Sequence, residues 1–265
     1  MDFFLSHETY TWILRGAFVY AGLILVGALF YRAPYGRFGD AAGGIGLPPR
    51  VGWFLMELPA TVSFVVFFLA GRNSAEAVPL FFLGVWLVHY GNRGFVFPLL
   101  MRVQRGARAS FGWLVIGAGW LVTTLHGYLN AVWVSEISDQ YSTDWFTDPR
   151  FLVGMAVYVC GFVGNLHSDH IIRTLRTRRE IANGDKVYRI PRGGLFRWVT
   201  SPSYLTEIVS FVGLAIAMWS PAACFVLLVT VANLVPRAFQ THAWYRERFG
   251  DEYPPERRAL VPGLL

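Results

Sequence analysis

Carboxyl, guanidinium and phenol groups recur in this chain inside stretches otherwise apolar enough to cross a membrane. Ionisable groups at that depth are costly unless they are paired or face a cavity, so each is a candidate for function. Glu57 lies in the run Trp53-Phe-Leu-Met-Glu57-Leu-Pro59. A carboxyl there must be neutral or paired. It reads as a partner for a nearby arginine, or as a substrate or acid–base group in a polar pocket. Pro59 loosens the local helix and suits either role. Tyr90, Arg93 and Phe97 follow at i, i+3 and i+7 and share one helical face. A phenol beside a buried charge can donate to a carbonyl; the alternative is an interfacial aromatic with a snorkelling arginine.

A second group lies towards the C-terminus. Asn165, Asp169, Arg173 and Arg176 form one stripe in near-helical steps. A carboxylate that accepts from hydroxyls, next to guanidiniums that grip phosphate, suits a ribose and its phosphates. An internal Asp–Arg ion-pair ladder is the alternative. Tyr188 precedes Pro191-Arg192-Gly193-Gly194, where backbone amides can approach an anion. Ser203 and Glu207 open the next apolar run, and Arg237, His242 and Tyr245 close the last one. That last trio combines a phosphate binder with ring donors, or anchors the chain to lipid headgroups. His167 and His170 are three residues apart, but nothing else in the sequence completes a metal site, so no metal is expected. The glycines of 39–46 end in Pro48-Pro49, which blocks a helix start, and no Gly-x-Gly-x-x-Gly follows a strand. A nucleotide would therefore bind among helices.

The elements that must position these groups are apolar helices. The chain has 265 residues and is 54% hydrophobic but only 15% charged, against about 25% charged in soluble domains. Mean hydropathy is +0.42. This excludes a disordered chain, a nucleic-acid-binding arm and most soluble enzymes. Seven segments qualify as spans: 10–31, 51–70, 78–100, 111–134, 151–172, 204–220 and 221–239. The first is a membrane anchor and not a signal peptide, because Ala-Pro-Tyr-Gly follows it. Of the 23 basic residues, 19 fall in the loops 31–50, 101–110 and 173–198 and in the tail from 237. The opposite loops hold Arg72 and Arg150 among acids. The expectation is an all-α, seven-transmembrane helical bundle with the N-terminus outside and the C-terminus cytosolic. It forms a single domain over 1–265. Cys160 and Cys224 lie in apolar runs, so no disulfide framework is expected.

Together the motifs resemble the steroid 5α-reductase family (3-oxo-5α-steroid 4-dehydrogenases) from about Gly52 to the C-terminus. The resemblance rests on WFLMELP, LVHYGNRGFVFPLLMR, TDWFTDPRFLVG, NLHSDHIIRTLR, YRIPRGGLFRWVTSPSYLTEI, RAFQTHAWY and EYPPERRALVP. It implies a membrane enzyme that uses NADPH to reduce the 4,5 double bond of a 3-oxo-4-ene steroid. By the same resemblance Glu57 and Tyr90 hold the 3-keto oxygen and Arg93 is a pocket arginine. Trp53 contacts cofactor or substrate, and Glu207 sits at the nicotinamide end. Asn165, Asp169, Arg176, Tyr188, Arg237 and Tyr245 match positions that line the NADPH site, to which Arg173, Ser203 and His242 are added here. The helices of 51–110 then carry the substrate pocket and 151–265 the cofactor site. Several positions depart from the family pattern. Ser203 stands where asparagine is common, Thr206 where glycine is, Phe97 where tyrosine is frequent, and Gln240-Thr241 where histidines are. The 177–187 loop is longer than usual.

Three other readings stay open: a related reductase of another enone or enoyl lipid, an S-adenosylmethionine-dependent isoprenylcysteine-type methyltransferase, and a sterol-binding membrane protein without turnover. The expected partners are a steroid-like lipid and the bilayer, with no nucleic acid. The oligomeric state stays open and a monomer is compatible. The expected site is the inner membrane of a bacterium or the endoplasmic reticulum membrane of a eukaryote.

Overall fold

Proline and small capping residues set where the helices begin. Pro49, Pro149, Pro202 and Pro221 each occupy a first helical position, where a missing N–H costs nothing. Ser6, Asp148 and Ser220 cap their helices by accepting from the backbone N–H of Thr9, Arg150 and Ala223. The computed structural model describes residues 1–31, 46–103, 111–184 and 187–264. Arg32, Arg37, Arg105, Arg108, Lys186 and most of the glycine-rich 39–46 stretch lie outside the described residues.

Among the described residues, seven helices fall on the seven apolar segments: α1 (His7–Phe30), α2 (Pro49–Ala70), α3 (Ala77–Tyr90), α4 (Trp113–Val132), α5 (Pro149–Thr174), α6 (Pro202–Met218) and α7 (Pro221–Phe249). No β-strand occurs among the described residues, only isolated bridges at Leu47–Phe111 and Val199–Arg258. Among the described residues four helices, α1, α2, α5 and α7, are long and apolar enough to cross a membrane. α6 is apolar but shorter, at 17 residues. Val19, Leu23, Val26 and Leu29 of α1 point outward and are exposed, as lipid-facing residues would be. The 218–221 connection is a tight hairpin, with Trp219 in the left-handed region at φ 46°.

α3 does not stop at Tyr90. It continues as a wide π-turn through Gly91–Val96 and resumes over Phe97–Leu100. Pro98 supplies a cause: its ring has no N–H and clashes with the carbonyl four residues back, so the ordinary ladder cannot run through. The Phe97 N–H instead reaches the Asn92 carbonyl, five residues back. Such widened turns concentrate at functional sites.

Two close helix pairs frame the interior, α2 along α4 and α5 along α6. In both, glycine lets the backbones touch. A Cβ on Gly154, Gly161 or Gly213 would collide with backbone atoms across the α5–α6 contact. One on Gly127 would strike Ser63 and the Ala60 carbonyl across α2–α4. Small residues of this kind replace the hydrophobic drive that lipid removes. Around them Phe64 stacks on Trp86 at 4.7 Å, and Trp86 Nε1 donates to the Ala60 carbonyl at 2.9 Å.

The two arginines of the acid-bearing loops are both engaged. Arg72 donates to Asp139 Oδ1 at 2.6 Å, and its backbone N–H donates to Glu136 Oε2 at 2.8 Å. Arg150 grips Asp148 through Nε and an Nη, at 2.9 and 2.7 Å. Those hydrogen bonds hold the Asp148 carboxyl well below the usual range, at about 2.

The backbone contact predicts a sharp positional contrast. Gly213→Ala lowers the melting temperature in detergent by the equivalent of about 1–3 kcal/mol. Gly84→Ala, where nothing lies within 4 Å of the new Cβ, leaves it unchanged or slightly raised. Equal melting temperatures for the two variants would contradict the close α5–α6 approach.

Candidate functional site

The helices enclose a cavity of about 1030 Å³ that touches all seven of them. Small-molecule sites commonly run to roughly 300–1000 Å³, and this one lies at the top of that range. Its walls differ in character. α1 and α4 contribute Ile24, Leu114, Val115, Ala118 and Val122. α5, α6 and α7 contribute Asp169, Ser203, Glu207, Asn233, Arg237 and Tyr245. α2 and α3 bring Trp53, Glu57, Tyr90, Arg93 and Phe97.

Arg93 is the junction of these walls. It projects from the π-turn and its guanidinium lies 3.1 Å from Glu207 Oε2 on α6, with both side chains largely buried. The same guanidinium sits 4.7 Å from the centre of the Trp53 ring and 5.4 Å from that of Phe97. Trp53 Nε1 donates to the Arg93 carbonyl at 3.0 Å, which ties α2 to the turn. Gly94, one residue on, packs close to Glu57, where an added Cβ would stand 3.2 Å from the Glu57 Cβ. Phe97 thus presents its ring to a cation and packs 5.1 Å from Trp53.

Glu57 and Tyr90 both line the cavity, and Tyr90 is buried. Tyr90 Oη lies 3.1 Å from Nδ1 of His126 on α4. Sequence reasoning missed His126 in this role. Its place in the middle of an apolar span was the available signal, since an imidazole there needs a partner as much as a carboxyl does.

Of the C-terminal stripe, only Asp169 reaches the cavity, which Ser203 also lines. Asn165 is buried and donates to the Ser203 carbonyl at 2.8 Å. Arg237 lines the cavity and donates through Nε to Tyr204 Oη at 3.1 Å. Tyr245 lines it and stacks on Tyr253 at 5.5 Å. Ser201 also lies on the lining, and its buried Oγ has no hydrogen-bond partner among the described residues.

The other expected residues stand off this lining. Arg173 faces a second cavity of about 350 Å³ together with Arg50, Arg102 and Arg178; Met101 lines both cavities. Arg176 and Arg102 each donate to the other's backbone carbonyl, at 3.0 and 2.6 Å, and join the end of α5 to the end of α3. Tyr188 packs edge-on against Trp244. His242 Nδ1 lies 2.6 Å from Thr200 Oγ1, which also bonds Tyr253 at 2.6 Å. This knot docks the C-terminal segment on residues 198–201, where Thr200 N donates to the Arg258 carbonyl at 2.9 Å.

The pairing of Arg93 with Glu207 makes a double-variant test available. Arg93→Met or Glu207→Gln alone strands a buried charge and lowers stability in detergent by about 3–5 kcal/mol. The double variant costs less than the sum of the two. Additivity within about 0.5 kcal/mol would show that the groups are not coupled.

Comparison with known proteins finds relatives over most of the chain. The sequence profile described as 3-oxo-5-alpha-steroid 4-dehydrogenase matches residues 113–265. The chain is 38% identical to 3-oxo-5-alpha-steroid 4-dehydrogenase 1 of Mus musculus, over 94% of this chain and 92% of that protein. It is 34% identical to the Bos taurus protein of the same name, over 99% and 98%. It is 34% identical to steroid 5-alpha-reductase DET2 of Solanum lycopersicum, over 89% of each. The chain belongs to the 3-oxo-5-alpha-steroid 4-dehydrogenase family.

Proposed function

We propose, with that family membership as the premise, that this enzyme reduces the 4,5 double bond of a 3-oxo-4-ene steroid to the 5α-dihydro product, using NADPH. The observation that carries the reading is one cavity with an apolar wall, a buried phenol and a wall of charged and polar side chains. The apolar side chains of α1 and α4 suit a fused-ring lipid.

The donor set fits a dinucleotide. Arg237 can bind phosphate, Asp169 can accept from ribose hydroxyls, and the Ser201 Oγ, unpartnered among the described residues, offers a donor and acceptor at the same wall. Asn165 holds the Ser203 carbonyl, and Tyr245 flanks Arg237 on α7. Arg173 and Arg176, by the adjoining arginine-lined cavity, favour an additional phosphate and hence NADPH over NADH. Tyr188 and His242 then act by holding the loops around this wall. NADPH held there would supply the hydride for C5 of the steroid, and a proton taken from water would complete the reduction at C4.

The chain's residues prepare the carbonyl for that step. As the double bond is reduced, negative charge builds on the 3-keto oxygen. Tyr90 Oη–H donates to it, with Glu57 beside it, and a preorganised donor in a water-poor site stabilises that charge far more than bulk water does. The Arg93–Glu207 pair fixes the wall against which the ring system lies, so that only the α face of C5 is presented.

Arginine asymmetry supports seven crossings with the C-terminus cytosolic, which gives the cofactor wall access to the cytosol. In this reading the chain is one membrane domain, with 51–110 carrying the substrate side and 151–265 the cofactor side. The host membrane is the inner membrane in a bacterium or the endoplasmic reticulum in a eukaryote.

Detergent-purified protein should oxidise NADPH only when testosterone or progesterone is present. Tyr90→Phe should lower kcat by about 100- to 1000-fold with little change in KM, the signature of a lost transition-state donor. Glu57→Gln should also be strongly impaired. Steroid-independent NADPH oxidation, or a Tyr90→Phe variant with unchanged kcat, would overturn the assignment.

A further inference from the structure

Tyr90 has one hydroxyl proton and two calls on it. The proposed reduction needs that proton on the steroid carbonyl. The structure puts Nδ1 of His126 only 3.1 Å from the same oxygen. Which of the two atoms donates to the other decides whether the phenol is free to act.

The surroundings of His126 favour one answer. The ring is buried on α4 and lines the cavity. Its Nε2 is buried and has no hydrogen-bond partner among the described residues. A neutral imidazole carries its proton on one nitrogen only. A proton on Nε2 would leave a buried donor unsatisfied, and orphaned donors are rarer than orphaned acceptors. A proton on Nδ1 satisfies the donor and leaves an acceptor, not a donor, unpaired at Nε2. The backbone beneath the ring is held as well. Asn130 Nδ2 donates to the His126 carbonyl at 2.9 Å and to the Ala222 carbonyl of α7 at 3.3 Å. Gly127, the next residue, is the point where α4 meets the α2 backbone, and Ser63 Oγ donates to the Thr124 carbonyl at 3.2 Å.

We infer that His126 is a positioning residue: its Nδ1–H donates to Tyr90 Oη, so that the phenolic proton points into the cavity and is available to a substrate carbonyl. The chain of donors then runs His126 Nδ1–H to Tyr90 Oη–H to the carbonyl oxygen. Each bond polarises the next, which strengthens the last one as charge builds on the carbonyl. No proton needs to change owner for this effect. The inference rests on the function proposed above for Tyr90, and its test separates the two.

The direct measurement is the tautomer. Protein labelled with ¹⁵N-histidine, with His126→Asn as the assignment control, should show His126 in the Nδ1–H form, and Tyr90→Phe should shift its Nδ1 signal. An Nε2–H form would overturn the inference whatever the turnover, because Nδ1 would then be consuming the tyrosine proton.

Kinetics supply the second arm. His126→Leu should lower kcat about tenfold, the worth of one hydrogen bond, with KM nearly constant. His126→Asn, which keeps an N–H near the Nδ1 position, should recover most of that loss. In a Tyr90→Phe background, His126→Leu should have little further effect. Full activity in His126→Leu, or equal losses in the Leu and Asn variants, would overturn the inference while Tyr90 keeps its role. If wild-type protein turns over no enone, the function proposed above fails, and the tautomer alone then decides for or against His126 as the donor.

Discussion

The ion pair between Arg93 and Glu207 is the constraint on which the rest of the site depends. Two charges removed from water cost several kcal/mol each unless their geometry and their neighbours repay it. Here the guanidinium is 3.1 Å from the carboxylate and lies over the Trp53 and Phe97 rings. That arrangement needs a widened turn in α3 to project Arg93, a tryptophan from α2 to hold the turn, and an α6 locked in place to offer Glu207. The glycines of the α5–α6 contact provide the last requirement. Stability and site geometry are therefore one problem, because a shift of α6 would strand a buried charge.

The same packing divides the cavity. α2 pairs with α4 and α5 with α6, so the apolar wall and the wall of charged and polar side chains belong to different helix pairs. The pair Arg93–Glu207 spans them. A lipid substrate and a charged cofactor can then share one enclosure, each against a matching surface, with the phenol of Tyr90 on the substrate side. The protein's part in such a reaction is orientation and electrostatics, while the cofactor carries the electrons.

Much of this was legible in the sequence. Seven apolar segments became seven helices among the described residues, with proline and Ser/Asp caps marking most of their starts. Glu57, Tyr90, Arg93 and Glu207 stood out because charge and phenol are costly at span depth, and all four meet in the cavity. What escaped followed from assuming one helical period. The π-turn at Gly91–Val96 is invisible to a 3.6-residue count, although Gly94 and Pro98 mark it. Asn165, Asp169, Arg173 and Arg176 share a helical stripe in the sequence, yet only Asp169 lines the main cavity, while Arg173 reaches the outer one and Arg176 the end of α3. His242 bears a ring that could bind a ligand, but its partner Thr200 is 42 residues away in sequence and only folding brings them together. His126 was hidden because its partner, too, lies on another helix.

The central claim is that this cavity delivers hydride to C5 of a 3-oxo-4-ene steroid on one face only. Its most direct test uses NADPH deuterated at C4 of the nicotinamide, on each face in turn, with testosterone and detergent-purified protein. The account predicts a 5α-dihydro product carrying deuterium at C5 from one of the two labelled cofactors and none from the other. Deuterium at another carbon, a 5β product, or label from both faces would contradict it.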